Sequence, residues 1–189
     1  TVIIDVRGMN EISVQGSGEA SIGAGANLGE VYATLRCAYD RTIPAGTCAG
    51  VGISGITMAG GMGLLMRERG LTIDVLNRAE VVLWNGTTVV CSATEHPDLF
   101  WALRGGGSGS FGVVTKWSFS TFPYQQRMLA QAKWHWKDFV PVFAAWEEWL
   151  ASLPATCFAG LSVFAAASSA PSFAVTVVGN TGTEKAMLG

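Results

Sequence analysis

Residues 45–63 read AGTCAGVGISGITMAGGMG and contain seven glycines, one cysteine and no charged side chain. Because glycine has no Cβ, backbone N–H groups in such a run can approach a ligand closely and can adopt positive φ angles. This glycine content is unfavourable for a helix and interrupts a regular strand. The run is therefore predicted to form an ordered loop, packed either against a ligand or against strands and turns.

A second glycine-rich segment, RGGGSGSFG, occupies residues 104–112. Two such loops in one domain suit a long phosphate-bearing ligand such as a dinucleotide, whereas the alternative is that glycine allows tight packing of turns. The Walker pattern GxxxxGK[ST] is absent, and neither segment lies cleanly between a strand and the helix of a βαβ unit. A Rossmann fold is therefore not indicated.

The composition indicates a well-buried core or a piece of something larger, and it gives no sign of several classes of partner. Hydrophobic residues make up 49% of the 189 residues, charged residues 14%, and the net charge is −2. Such a chain has enough apolar surface to fold, and its charge gives no reason to expect a nucleic-acid or anionic-membrane partner. No apolar run is long enough for a transmembrane helix. The sequence favours neither a secreted nor a cytoplasmic location.

Side chains that carry acid–base or metal chemistry are scarce. The cysteines Cys37, Cys48, Cys91 and Cys157 lack CxxC spacing, so no zinc site or other metal site is expected, and all except Cys48 are interpreted as buried thiols. The histidines show no catalytic pattern. A domain rich in accessible backbone and poor in such groups suggests that a bound cofactor supplies the chemistry.

The periodicity predicts an α+β fold. Residues 1–6 (TVIIDV) are predicted to form a buried strand, and Asn27 is predicted to cap a helix through Leu35. Strands at 79–83 and 87–91 flank Asn85-Gly86, a dipeptide that favours a type I′ hairpin turn. Another helix is predicted to start at Pro97.

The pattern of predicted strands and helices changes near residues 122–126, which predicts two domains, 1–123 and 124–189. The second reads as a strand, an amphipathic helix, two further strands and the start of a helix near Thr183. Because the sequence ends inside that predicted helix, we expect this domain to be the beginning of a larger antiparallel sheet covered by helices.

The segments PAGTCAGVGISGITMAGGMGLLMRERGLTIDVL (residues 44–76) and PDLFWALRGGGSGSFGVVT (residues 97–115) resemble the FAD-linked oxidases of the berberine-bridge-enzyme-like group, in the vanillyl-alcohol-oxidase/PCMH superfamily. The resemblance runs from about Val2 to Pro123. It implies a PCMH-type FAD-binding domain, followed by the start of a substrate domain. It also implies a reaction in which a hydride leaves a C–H bond next to oxygen or nitrogen for flavin N5, and O2 reoxidises the flavin.

The resemblance also implies a set of FAD-binding residues. Cys48 matches a cysteine that forms a thioether to flavin C6 in bicovalent members, and both a covalent and a non-covalent flavin remain open here. Val51 matches a position that gates oxygen, where a small valine favours an oxidase. The complete set is Thr47, Cys48, Val51, Gly52, Ser54, Gly55, Gly60, Gly61, Gly63, Leu71, Gly109, Gly112 and Val114.

The sequence departs from the family pattern at two residues of the first glycine run. Ile56 replaces a histidine that donates a hydrogen bond to the pyrimidine edge of the flavin, and Ser54 replaces a common glycine. Because isoleucine cannot donate, we expect a lower flavin potential than in a relative with histidine.

Two functional parts of the family pattern have no match in this sequence. These are the N-terminal segment, with half of the pyrophosphate site and the histidine that attaches to the flavin, and the part that carries the catalytic base. We therefore expect a missing N-terminal segment of the same protein, or a second chain, to complete the site. Three interpretations remain: part of an oxidase acting on an alcohol, sugar or similar small molecule, a degenerate flavin-binding scaffold, or an electron-transfer subunit.

Overall fold

The computed structural model describes residues 3–107, 109–167 and 169–188, and within them the chain packs as two compact units. The boundary between the units falls between Tyr124 and Gln125. Among the helices of these residues, none has the length and apolar content needed to cross a membrane.

The first unit is built on an antiparallel sheet with the strand order β1-β2-β6-β4-β5. A short second ladder pairs β3 with β7. Its elements in chain order are β1 (Ile12–Val14), β2 (Glu19–Gly23), α1 (Leu28–Tyr39), β3 (Arg41–Thr42), α2 (Ile53–Met58), α3 (Met66–Arg69), a 3-10 helix (Thr72–Val75), β4 (Leu76–Val82), β5 (Thr88–Ser92), α4 (Pro97–Leu103), β6 (Val113–Ser120) and β7 (Phe122–Pro123).

The core of this unit lies on one face of the sheet, beneath α1. Trp117 on β6 is 0% exposed and lies opposite Ile22 of β2 and Ala79 of β4, so it occupies the centre of the sheet. From α1, Val31 and Leu35 pack into the same cluster. The helical spacing along α1 thus buries one face of the helix, whereas β6 in the centre of the sheet is buried at the successive residues Trp117, Ser118 and Phe119.

Helix α1 begins where the sequence predicts. The Asn27 side chain accepts a hydrogen bond from the Glu30 N–H (3.0 Å), and the Glu30 carboxylate accepts one from the Asn27 N–H (2.9 Å). This reciprocal capping box satisfies two donors that a helix start leaves without intrahelical partners. Cys37 lies on the exposed side of α1, so its predicted burial is wrong, whereas Cys91 and Cys157 are buried.

The predicted hairpin is formed by β4 and β5, but its turn is not type I′. Gly86 has a φ of +82°, whereas Asn85 is not among the described residues with positive φ, which a type I′ turn requires. The Gly86 N–H donates to the Leu83 carbonyl (2.9 Å), and the Leu83 N–H donates to the Thr87 carbonyl (2.9 Å). The connection is therefore a three-residue loop with Gly86 in the left-handed position.

The predicted strand at residues 1–6 is wrong for its described part, residues 3–6, which have no regular structure. Ile3 and Ile4 are 87% and 63% exposed. The chain turns immediately afterwards, where the Met9 N–H donates to the Val6 carbonyl (2.8 Å). An apolar run forms a strand only where a neighbouring strand supplies a hydrogen-bonding ladder, and here the first ladder begins at Ile12.

The second unit contains β8 (Arg127–His135), a 3-10 helix (Trp136–Asp138), α5 (Phe139–Ser152), β9 (Phe158–Ala166), β10 (Ser169–Asn180) and α6 (Glu184–Leu188). Its described strands form an antiparallel sheet in the order β8-β10-β9. Trp146 of α5 packs against a core that includes Val175 and Val177 of β10. The predicted order of strand, helix, two strands and helix is confirmed.

Candidate functional site

The first glycine run is not a loop throughout, because residues 53–58 form the short helix α2. The prediction from glycine content is wrong here since tertiary packing overrides helix propensity. Ile53 is 0% exposed and Met58 is also buried, so the helix is stabilised by one apolar face. Gly52 precedes it in an extended conformation (φ −71°, ψ 136°).

Some glycines of this run are required by close packing against protein atoms. A Cβ at Gly63 would lie 1.8 Å from the Ala45 carbonyl oxygen, and a Cβ at Gly61 would lie 2.1 Å from Thr72 Oγ1. Gly61 also has a φ of +80°, which L-residues with a side chain rarely adopt. For these two predicted site residues, the absence of a side chain is explained without a ligand.

Other glycines of the run face open space. A Cβ added to Gly50, Gly52 or Gly55 would meet no atom of the described chain within 4 Å. None of the three is among the described residues with positive φ. All three are exposed, as are the side chains of Thr47 and Cys48. Neither packing nor backbone conformation therefore explains these glycines, and an incoming molecule can reach their backbone.

Backbone hydrogen bonds fix the shape of this open surface. The N–H groups of Leu28 and Gly29, at the start of α1, donate to the carbonyls of Val51 and Ala49, both at 2.9 Å. The Ile53 N–H donates to the Ala26 carbonyl at the same distance. The first donors of α1 are thus used within the protein, and they hold the glycine run in one conformation.

Cys48 and Val51 lie at the two ends of a tight turn on this surface. The Val51 N–H donates to the Cys48 carbonyl (3.1 Å). The Cys48 thiol is exposed and free, and Val51 is 39% exposed. A free thiol and a small apolar side chain are therefore both accessible beside the open glycines.

Ser54 and Ile56 point towards the protein. The Ser54 hydroxyl donates to the Ala24 carbonyl (2.7 Å) and accepts from Trp117 Nε1 (2.8 Å). Ile56 is half-buried, with its Cδ1 2.7 Å from where a Cβ of Gly46 would lie. The structure thus gives Ser54, a predicted FAD ligand, two partners inside the protein.

Tyr32 connects α1 to the start of the same run. Its hydroxyl donates to the Gly46 carbonyl at 2.7 Å. Burial raises the pKa of Tyr32 to about 12, so the phenol is neutral and remains a donor at physiological pH. The sequence does not reveal this anchor, because the helical spacing of Tyr32 with Leu28 and Leu35 equally fits a purely apolar helix face.

In the second glycine segment, backbone conformation explains several glycines. Gly105, Gly107, Gly109 and Gly112 all have positive φ. A Cβ at Gly112 would also lie 2.7 Å from Val81 Cγ1, whereas a Cβ at Gly109 would meet nothing within 4 Å of the described chain. Of the predicted site residues here, Gly109 lies open and Gly112 is crowded. Val114 is buried within β6.

Ile73 joins the two glycine segments. Its N–H donates to the Gly60 carbonyl (3.1 Å), and its carbonyl accepts from Arg104 Nε (3.3 Å). Next to it is a cavity of about 410 Å³ lined by Ile73, Trp101, Arg104, Gly105 and Gly106. Leu71, a predicted site residue, donates its N–H to the Asp74 carboxylate (2.8 Å), which stabilises this corner. Sequence analysis missed Arg104, although its position directly before three glycines was a usable signal.

The histidines offer no evident acid–base site. His96 is an exposed residue at the start of α4 with a φ of +43°, and His135 is exposed at the end of β8. Within the described ranges, no group of three His, Cys, Asp or Glu side chains is placed to hold a metal ion. The catalytic base is therefore not assigned to a residue of this chain.

Comparison with known proteins gives consistent matches. A model described as an FAD binding domain matches residues 1–92. The chain is 44% identical over 153 residues to the FAD-linked oxidoreductase YgaK of Bacillus subtilis, covering 78% of this chain and 34% of that protein. It is 40% identical over 127 residues to a chitooligosaccharide oxidase of Gibberella zeae, covering 67% of this chain and 26% of that protein. The chain thus spans a quarter to a third of the length of these curated relatives.

A solved structure extends the likeness to both units. The structure of BBE-like #28 from Arabidopsis thaliana matches with a TM-score of 0.87 at 26% identity, covering 98% of this chain and 39% of that one. The likeness confirms the predicted α+β fold.

Proposed function

Because the chain belongs to the berberine-bridge-enzyme-like group of FAD-linked oxidases, with their PCMH-type FAD-binding fold, we propose that the whole protein is an FAD-dependent oxidase. Its substrate would be an alcohol, a sugar or a similar small molecule, and O2 would accept the electrons. The relative named chitooligosaccharide oxidase supports the sugar class. The chemistry that FAD supplies when bound is acceptance of a hydride from the C–H bond next to oxygen.

The observation that carries the proposal is the open surface at Gly50, Gly52 and Gly55. A Cβ at any of them would project into space that the described protein leaves empty. Residues 47–55 would therefore lie against a flat ring system and the pyrophosphate beside it, which need close backbone approach. The residues present fit FAD.

Individual side chains would have separate roles at this surface. The exposed Cys48 thiol would lie against flavin C6, and the short Val51 side chain would leave room for O2. Arg104 carries a positive charge where the second glycine segment begins, which favours an anionic phosphate group nearby. Gly60, Gly109 and the backbone near Val114 would continue the cofactor wall.

The first experiment is an intact mass and a visible spectrum of the protein purified with any segment that accompanies it. We expect a yellow protein that releases peroxide when oxidisable oligosaccharides are added. Colour that stays with acid-precipitated wild type and is lost in Cys48→Ala would report a covalent bond at Cys48.

Two results would contradict the proposal. A colourless protein that takes up no FAD would favour a degenerate scaffold, for which the absence of a hydrogen-bond donor at Ile56 is the supporting feature. A flavin that is bleached by substrate without release of peroxide would favour an electron-transfer subunit.

A further inference from the structure

The Ser54 hydroxyl uses its one donor and one of its two acceptor sites inside the protein. It donates to the Ala24 carbonyl at 2.7 Å and accepts from the Trp117 indole N–H at 2.8 Å. Ala24 is 3% exposed and Trp117 is 0% exposed, so both partners are fixed in the core. Because a serine hydroxyl has one proton to donate, it has no second one to offer to a ligand in this geometry.

One partner of Ser54 lies in the sheet and the other directly follows a strand of it. Trp117 lies in β6 between β2 and β4, opposite Ile22 and Ala79. Ala24 directly follows β2, and its N–H donates to the Thr115 carbonyl of β6 (3.0 Å). Ser54 therefore connects the first turn of α2 to the centre of the sheet.

This connection differs in kind from the others that hold the run. The bonds from Leu28 to Val51, from Gly29 to Ala49 and from Ile53 to Ala26 all join backbone atoms, so most side-chain substitutions leave them intact. The bonds of Ser54 depend on its side chain. Gly52 and Gly55, two of the open glycines, flank this side chain in the sequence.

We propose that Ser54 is a positioning residue: its hydroxyl, held by Trp117 and Ala24, fixes the backbone of residues 50–55 in the conformation that receives FAD. The inference rests on the proposed function for its ligand, but the two hydrogen bonds of Ser54 are present in the chain without FAD. Removing the hydroxyl leaves a buried indole N–H without an acceptor, which favours local opening of α2.

The test compares wild type with Ser54→Ala, Ser54→Thr and Thr57→Val. Thr57 is a matched control because its hydroxyl is also buried in α2 but donates to Ile53 within the same helix (2.7 Å). Amide hydrogen exchange of residues 50–56 is measured without FAD on the protein purified with any segment that accompanies this chain, and FAD affinity is then measured by titration of the same protein. We expect Ser54→Ala to exchange roughly tenfold faster in this segment and to bind FAD roughly tenfold more weakly.

The variants also separate positioning from general stability. Ser54→Thr should retain wild-type exchange and affinity because it keeps the hydroxyl. Thr57→Val should lower the unfolding midpoint without changing the FAD dissociation constant measured well below that midpoint. Unchanged exchange and affinity in Ser54→Ala would overturn the inference. If wild type takes up no FAD, the proposed function fails. The exchange rates of residues 50–56 in wild type and Ser54→Ala still decide whether the Ser54 hydroxyl fixes this backbone.

Discussion

Gly63 and Gly52 belong to the same glycine-rich run, yet the structure gives them opposite surroundings. A Cβ at Gly63 would lie 1.8 Å from a backbone oxygen, whereas a Cβ at Gly52 would meet nothing within 4 Å of the described chain. The first glycine is needed by the protein itself, whereas the space at the second is the space that the proposed function assigns to FAD. A glycine count therefore does not separate tightly packed glycines from open ones, but the space in front of each glycine does.

The largest effect is expected at Gly63, where the glycine run packs tightly against protein atoms. Gly63→Ala should lower the free energy of unfolding by about 3 kcal/mol or more, because its Cβ meets the Ala45 carbonyl, which cannot move without shifting the backbone. The measurement is urea denaturation. Gly50→Ala is the control, because a Cβ at Gly50 meets open space, and it should change the free energy of unfolding by no more than about 0.5 kcal/mol. Equal unfolding midpoints for Gly63→Ala and Gly50→Ala would contradict the distinction between packed and open glycines.

Tyr32 stabilises the start of the glycine run, because its hydroxyl donates a hydrogen bond to the Gly46 carbonyl. Burial raises its pKa from 10.0 to about 12 in the folded state, so the free energy of unfolding is unaffected by ionisation of this phenol below pH 10 and falls as pH rises towards 12. The fall in the free energy of unfolding amounts to about 2–3 kcal/mol. Tyr32→Phe has no ionisable hydroxyl and no hydrogen bond to Gly46, and it should be less stable by about 1 kcal/mol at neutral pH.

Denaturant unfolding of both proteins between pH 7 and pH 12 checks this prediction. The difference between wild type and Tyr32→Phe should shrink above pH 10 and then reverse. Parallel pH profiles would show that Tyr32 does not titrate as a buried phenol.

Ile56 lies between a packed and an open part of the glycine run. Its side chain packs near Gly46, and its backbone follows Gly55, where a Cβ would meet open space. Ile56→His replaces a side chain that packs inside the protein by an imidazole, whose N–H donor the family resemblance places near the flavin. A hydrogen bond to the negative charge of the reduced flavin should raise the two-electron midpoint potential by about 30–60 mV. Redox titration checks this, with Ile56→Leu as an apolar control. A histidine variant with the potential of the leucine variant would refute the prediction.

Sequence reasoning succeeded where the information is local. The capping box at Asn27 and the spacing of Val31 and Leu35 specify α1 within one short segment. Sequence reasoning failed where distant residues decide the outcome, as in α2, whose glycines disfavour a helix until Ile53 and Met58 are buried by the rest of the unit.

The candidate site shows the same division between local and distant information. The motif places Cys48 and Val51 on one surface, and both are accessible there. The role of Ser54 depends on Trp117, which lies in another element and is not adjacent to it in any sequence pattern. The turn at Asn85 was also predicted incorrectly, because the strand register fixes the loop length and a favoured dipeptide does not.

A stability change of at most about 1 kcal/mol, together with the most direct test, is expected for Gly52→Ala. The φ of −71° and ψ of 136° at Gly52 suit alanine, so the variant should be as stable as wild type or more stable by up to about 1 kcal/mol. The decisive measurement is the FAD dissociation constant of this variant, determined beside its unfolding midpoint. The open-surface account predicts binding weakened roughly tenfold or more in a fully folded protein, because the new methyl group occupies the space of the cofactor. Wild-type affinity for FAD in Gly52→Ala would contradict it.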